Sequence, residues 1–596
     1  MTIYVAPVRD MLFVIQELAG FDHVRRLPGC EEVTPDLLEA ILDEAGKFAS
    51  EVLAPLNPVG DREGSRLEGG TVVTPPGFAE AYAKFVANGW TTLAAKPEFG
   101  GQGLPYLVAT PVQEMWKSAN LAFSLCPMLT QGAIEAIAHH GSPAQQQFYL
   151  PRMAAGEWTG TMNLTEPQAG SDLSAVRTRA QPEGDHYRIS GTKIFITWGE
   201  HTMAENIVHL VLARLPDAPE GVKGISLFIV PKFLSNPDGS LGQRNDVQCV
   251  SLEHKMGIHA SPTAVLAFGE RGGAVGYMVG EPNRGLEYMF TMMNHARLNV
   301  GLEGVAVAER AYQGALAYAK ERVQGRPPGL KAGERVSIVN HPDVRRMLMS
   351  MKAQVEAMRA LAYFTAAAMD QAGRHPDSAE RKRQQMLVDL LTPVVKGWCT
   401  EQAIEIASTG IQVHGGMGYI EETGACQHLR DARITTIYEG TTGIQANDLV
   451  GRKVARERGV TARALLAEMR ATEARLTSLE NEDCVAIGAA LRHGIHALEH
   501  ATDWLLETHP QDPRAAAAVA VPYLKLFGTV AGGWQMARAA DIAHRRQASG
   551  EAASFYRAKL HTARFYADHV LSLAPALGHA AVHGSASALA LEEGQL

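Results

Sequence analysis

The order in which hydrophobic periodicity changes along the chain constrains its fold more than any single motif. From about residue 35 to 160 the texture is helical. EVTPDLLEAILDEAGKFASEVLAPL (32–56) sets Leu37, Leu38, Ile41, Leu42 and Ala45 on one stripe. Near 160 the texture breaks. HYRISGTKIFIT (186–197), NIVHLVLARL (206–215) and GISLFIVPKF (224–233) are short β-branched and aromatic runs parted by Gly, Pro and Asp, which predicts strands. From about 285 helices return. YMFTMMNHARLNVGLEGVAVAERAYQGALAYAKERV (288–323) is nearly free of breakers, and HPDVRRMLMSMKAQVEAMRALAYFTAAAMDQAG (341–373) has Pro just inside its start and Gly at its end. Between them QGRPPGLKAGER (324–335) reads as a loop. Beyond about 455, in an Ala-rich region, Tyr556, Leu560, Ala563, Ala567 and Val570 alternate spacings of four and three, an amphipathic helix. The order is therefore α, β, α and a second α block. No period of 20–50 residues recurs, so a repeat array is not expected.

Length adds an expectation of about three to four packed units. The chain is 46% apolar and 20% charged, like a soluble globular protein, and its net charge of −9 gives no reason to expect nucleic acid or an anionic membrane as partner. The cysteines are scattered with no Cys-x-x-Cys pair, which fits free thiols in a reducing compartment. Arg9, Asp10 and Glu17 interrupt the N-terminal MTIYVAPVRDMLFVIQELAG, which lacks the apolar core of a signal peptide. The apolar run Leu526 to Ala537 is too short to span a bilayer. The expectation is a cytoplasmic chain with no transmembrane segment.

Familiar catalytic motifs are absent. HGGMGYIEETG (414–424) and FGGQG (99–103) do not give Gly-x-Gly-x-x-Gly, and no Gly-x-Ser-x-Gly elbow occurs. His493, His496 and His500 share a helix face at a spacing that could meet a metal. Three ligands on one helix rarely close a tetrahedral site, so a solvated or packed histidine face and no metal are expected.

Four distant segments share an unusual mix of Gly, Thr, Ser and single polar groups: MNLTEPQAGSD (162–172), KIFITWGE (193–200), EYMFTMMNHARLNVG (287–301) and QVHGGMGYIEETGACQHLRDARITTIYEGTTGIQ (412–445). Such composition lets backbone approach a large ligand closely. In the last, Glu439 is a lone carboxylate between the apolar pair Ile437 and Tyr438 and the small run Gly440 to Gly443.

These segments resemble those of the acyl-CoA dehydrogenase family over about residues 35–455. TEPxAGSD, K-x-x-x-T, the GGxG helix entry and RDA-x-x-x-x-IYEGT occur in the family's order and spacing. The resemblance implies a mainly α protein with a central β domain: an N-terminal extension (1–34), an N-terminal helical domain (35–160), a middle β-barrel domain (161–282) and a C-terminal four-helix bundle carrying the base (283–455). The ends look like a longer subgroup with an additional C-terminal helical domain (465–596). The implied reaction is FAD-dependent α,β-dehydrogenation of an acyl-CoA thioester, a fatty acyl-CoA or 3-methylmercaptopropionyl-CoA, to the trans-2-enoyl-CoA. Electrons would pass to electron-transfer flavoprotein and the chain would form a homodimer. An acyl-CoA oxidase and a non-catalytic flavin-binding protein are the other readings. Intact Glu439 and the acidic net charge oppose the last of these.

Residue by residue, the resemblance gives Glu439 as the base, because Ala296, at the place where some relatives keep theirs, cannot serve. Apolar neighbours suit a base, since desolvation strengthens a carboxylate's hold on a proton. Met162, Leu164, Thr165, Phe195 and Thr197 match the strands against the isoalloxazine. Arg322, Gln412, Gly415, Gly416 and Thr441 match contacts to the rest of FAD, some across a subunit boundary. Ser171, Asn294, Arg297 and Gly440 match the acyl-CoA side. Three positions depart from the family pattern. Val323-Gln324-Gly325 follows Arg322 in place of an aromatic-bearing run, Gly443 replaces a common Gln, and Trp198 replaces an Asn.

Overall fold

The computed structural model describes residues 4–236, 239–329, 335–548 and 552–596; part of the 324–335 loop and the first three residues lie outside them. By its internal contacts the chain divides into two compact units. One is a β unit, Ala45–Leu104 with Met115–Asn299; the other is a helical unit, Met1–Glu44, Pro105–Glu114 and Val300–Leu596.

In the β unit the strands form where the β-branched runs fall: His186–Thr197, Asn206–Ala213 and Ser226–Pro231. They join an eight-stranded sheet. Its ladder runs from Val247–Leu252 through Thr263–Phe268, His186–Thr197, Ala274–Val279, Ser226–Pro231 and Asn206–Ala213 to Trp158–Asn163, with Arg179–Glu183 on the side of the longest strand. All pairings are antiparallel except Trp158–Asn163 with Asn206–Ala213, where Met162 faces Leu210. The sheet turns about the twelve-residue strand, which pairs with one neighbour at Tyr187–Ile189 and another from Gly191. Among the described residues no ladder joins the two ends of the path. The core of the sheet gathers Ile189, Ile196, Val211, Phe228, Val230, Leu266 and Phe268.

One helix, Leu121–His140, is apolar and long enough to cross a bilayer by composition, and 78% of its apolar window is buried inside the protein. It is the core helix of the β unit. A Cβ on Gly160 of the first strand would lie 2.5 Å from the Ala133 Cβ, so helix and sheet meet at bare backbone.

The helical unit is built on Pro342–Arg374 and Ser378–His414; Ala520–Ala548 packs on both, Ala553–His569 on the first and Val460–Thr477 on the second, and Glu482–Thr508 packs on these three outer helices. The additional C-terminal helices pack as part of this unit. A Cβ at Gly528 would stand 2.2 Å from the Trp398 ring and one at Gly397 would stand 2.8 Å from Leu524, so Ala520–Ala548 and Ser378–His414 approach through glycine. The N-terminal extension joins through a buried ionic cluster. Arg359, 1% exposed, binds Glu114 in a fork and reaches Glu309 and Asp10, while Lys559 lies between Asp10 and Glu356. These contacts make the additional helices and the N-terminal extension part of one compact unit. The helix read at 32–56 ends at Phe48 and continues as a wider turn to Leu53.

Candidate active site

In the β unit the sheet gathers Met162, Leu164, Thr165, Phe195 and Thr197. Met162 lies on the first strand. The Thr165 carbonyl accepts from the Ile194 N–H at 2.9 Å, and the Lys193 ammonium donates to the Leu164 carbonyl at 2.9 Å. Phe195 and Trp198 both hold φ above zero, at 59° and 53°, conformations that non-glycine residues adopt only under constraint. The constraint is visible. The ladder shifts register between Ala264 and Leu266, and the Trp198 indole donates to the Ala122 carbonyl at 3.0 Å. Trp198 is thereby buried and Phe195 is left 58% exposed. A large aromatic face held out by strained backbone suits a planar partner.

Two motif residues not singled out from the sequence hold this region. Glu166 accepts from the Arg177 and Thr178 N–H groups, the Thr178 hydroxyl, the Gln168 amide and the Lys193 ammonium at 2.8 Å. Burial acts to raise its pKa, but Lys193 and these donors outweigh it and hold the carboxyl at about 2. Burial lowers the Lys193 pKa to about 8 against the pull of Glu166, so the pair stays ionised at neutral pH. TEPxAGSD and K-x-x-x-T are thus two halves of one clamp. Ser171 lies exposed on the loop that the clamp anchors.

Asn294 and Arg297 lie on the part of the helix Gly285–Glu321 that belongs to the β unit. Asn294 is exposed; Arg297 is buried, its guanidinium 5.7 Å from the Phe290 ring centre. Met292 packs against Gly132, so this methionine of MFTMMN serves the core.

In the helical unit Glu439, Gly440 and Thr441 form a single turn between the helices Ala425–Thr435 and Thr442–Asn447. Glu439 is half-buried with φ 55°, and Gly440 follows at 94°. The Gln445 amide donates to the Glu439 carbonyl at 3.1 Å and the Gly440 carbonyl at 3.3 Å, and Lys396 donates to the latter at 2.7 Å. The Thr441 hydroxyl caps the following helix at the Ile444 N–H. Arg430 binds Glu421 and Arg433 donates to Thr436.

Gln412, Gly415 and Gly416 stand at the end of Ser378–His414, with Gly415 at φ 61° and open space where either glycine would carry a Cβ. Such a turn leaves backbone N–H groups accessible to phosphate. Arg322 follows the end of Gly285–Glu321, and the Tyr318 and His414 rings, 4.5 Å apart, draw the two helix ends together. A cavity of about 620 Å³ opens there, lined by Arg310, Tyr318, Glu321, His414 and His428.

His493, His496 and His500 line a cavity of about 360 Å³ with His579 and His583, two histidines the helix-face reading did not include. Among the described residues no group of three His, Cys, Asp or Glu has metal-holding geometry.

Family models match in series: acyl-CoA dehydrogenase N-terminal domain (35–157), middle domain (161–270) and C-terminal domain (283–454), then acetyl-CoA dehydrogenase C-terminal like (465–592). The chain is 52% identical over 569 residues to 3-methylmercaptopropionyl-CoA dehydrogenase of Ruegeria pomeroyi, covering 95% of this chain and 96% of that one. It belongs to the acyl-CoA dehydrogenase family. It is also 35% identical, over 96% of each chain, to the broad-specificity linear acyl-CoA dehydrogenase FadE5 of Mycobacterium tuberculosis. The crystal structure of Caenorhabditis elegans ACDH-11 in complex with C11-CoA shares the fold, with TM-score 0.75 and 21% identity over 96% of this chain and 92% of that one. Members of this family are FAD-dependent oxidoreductases acting on acyl-CoA, and this chain is one of them. Within the β unit the exposed Phe195 ring suits a planar group such as a flavin, and within the helical unit the bare Gly415–Gly416 turn suits a phosphate.

Proposed function

We propose that Glu439 is the base of an α,β-dehydrogenation of acyl-CoA. The observation that carries this is a half-buried carboxylate on a left-handed non-glycine residue, its turn fastened from behind by Gln445 and Lys396. Backbone strain of this kind costs on the order of 1–3 kcal/mol and persists where surroundings over-determine it. The carboxylate takes the α-proton of the thioester. FAD, when bound, would supply the acceptor for the β-hydride, taking two electrons and one proton, while Glu439 keeps the α-proton and the product would be a trans-2-enoyl-CoA. Backbone N–H groups at Glu439 and Gly440 are suited to polarise the thioester carbonyl as charge develops.

Met162, Leu164, Thr165, Phe195 and Thr197 bind the isoalloxazine and exclude water from it. Arg322, Gln412, Gly415, Gly416 and Thr441 hold the remainder of FAD, with a second copy of the chain completing the site in a homodimer. Ser171, Asn294, Arg297 and Gly440 line the acyl-CoA side. Electron-transfer flavoprotein is the acceptor, and the cytoplasm the compartment. Identity of 52% to an enzyme named for 3-methylmercaptopropionyl-CoA supports that thioester as substrate beside fatty acyl-CoA.

The test is an anaerobic titration of the yellow protein with acyl-CoAs of increasing length and with 3-methylmercaptopropionyl-CoA. One thioester should bleach the flavin rapidly, and Glu439→Gln should abolish bleaching while leaving the protein yellow. Undiminished bleaching by that variant removes Glu439 as the base.

A further inference from the structure

Glu303 lies in the helical-unit half of the helix Gly285–Glu321, with none of its surface exposed. A buried carboxylate costs several kcal/mol to desolvate, and an apolar side chain in its place would pack at no such cost. It accepts a short hydrogen bond from the hydroxyl of Tyr438, 135 residues away in sequence. Burial first, and then the Glu303 carboxylate, holds the Tyr438 hydroxyl far above its ordinary pKa, so it remains a proton donor.

Tyr438 immediately precedes Glu439. The turn around Glu439 is fastened on its far side by Gln445 and Lys396, which bind the Glu439 and Gly440 carbonyls, and by the Thr442 N–H, which donates to the Thr436 carbonyl at 3.0 Å. On its near side the Ile437 and Tyr438 N–H groups both return to the Ile434 carbonyl, which continues the preceding helix but sets no direction for the left-handed step that follows. The side chain of Tyr438 supplies it. A left-handed glutamate between a helix end and a glycine would relax unless both flanks were held.

We infer that Glu303 and Tyr438 are positioning residues for the base, an acceptor–donor pair, its carboxylate fully buried, that fixes the near flank of the Glu439 turn. The inference rests on the reading of Glu439 as the base. A group aimed this way acts on proton removal and not on thioester binding. A misplacement of about 1 Å in such a site costs about a hundredfold in rate.

The test uses the full-length yellow protein and the rate of anaerobic flavin bleaching. Tyr438→Phe deletes one hydroxyl, and Glu303→Leu removes the acceptor at similar volume. Each should slow bleaching by about tenfold to a hundredfold, with the half-saturating thioester concentration within about twofold. The double variant should be no slower than the slower single, since the two act as one unit. Glu303→Gln keeps an acceptor oxygen for the Tyr438 hydroxyl and should retain most of the rate. If Glu303→Leu fails to fold, Tyr438→Phe and Glu303→Gln carry the test. Bleaching within twofold of the parent in Tyr438→Phe, losses that multiply in the double variant, or a Glu303→Gln rate below that of Tyr438→Phe each overturn the inference. Glu439→Gln, measured alongside, separates the two readings. If it still bleaches, the base assignment fails and takes this inference with it; if it does not, the outcome for Tyr438 and Glu303 stands on its own.

Discussion

Replacing Glu166 by Gln should damage the β unit more than any surface change. The Glu166 side chain is 3% exposed and Lys193 is fully buried, so removing the negative charge leaves an ammonium inside the protein with only the Leu164 carbonyl and an amide oxygen to face. Breaking one half of a buried ion pair costs about 3–5 kcal/mol. The Thr178 hydroxyl and two backbone N–H groups also lose a charged acceptor. The loss should appear locally, as native-state amide exchange along His186–Thr197 faster by about two to four powers of ten at neutral pH. Glu166→Leu with Lys193→Met should recover part of this, because no charge then remains uncompensated. Acid should imitate the single variant. A carboxyl held at about 2 in the fold, against 4.5 unperturbed, contributes stability that is complete above the latter and lost as pH falls toward the former. Lys193 is protonated throughout that window and adds no slope to it. Exchange in Glu166→Gln within threefold of the parent, or a double variant worse than the single, would refute the clamp.

Four further outcomes follow from the packing and the charges. Phe195→Ala should weaken flavin retention, read as loss of visible absorbance on ultrafiltration, while the far-UV spectrum is kept. Gly528→Ala drives a methyl into the Trp398 ring and should destabilise by about 1–3 kcal/mol, measured as a lower Tm. Arg359→Met leaves Glu114 and Glu309 without their cation and Asp10 with Lys559 alone, costs about 3–5 kcal/mol and should expose the N-terminal helix Val8–Phe13 to protease. Asp370 accepts from the Tyr106 and Leu107 N–H groups, and burial outweighs these donors to raise its pKa to about 7 from 3.8. The fold therefore binds that proton more tightly than the unfolded chain does. Its contribution is fully present below about 4 and lost as pH rises toward 7, and Asp370→Asn should flatten the stability–pH curve there.

Local periodicity carried the elements well, because strands and amphipathic helices are decided within a few residues. His186–Thr197 begins and ends where its alternating run does, and the helix Pro342–Arg374 starts at its proline. Leu560, Ala563 and Ala567 are buried as their spacing requires. Glu439 was legible because a lone carboxylate among apolar and small residues is anomalous, and the motif around it gave it a role to be tested. Partnerships were not legible. Glu166 and Lys193 stand 27 residues apart, Tyr438 and Glu303 135, and Arg359 reaches Asp10 across 349. Nothing in a helix's own pattern distinguishes a buried glutamate with a distant donor from a solvated one. The packing of the additional helices into the helical unit was hidden for the same reason: glycines at 397 and 528 look like weak points of two helices until the Leu524 side chain and the Trp398 ring occupy the space their missing side chains leave. The sequence by itself determined which segments become strand or helix and which carboxylate stands out. Tertiary structure decided which charges meet, which glycines are contacts and how the strained turn at Glu439 is held, because desolvation and close packing depend on neighbours that only the folded chain supplies.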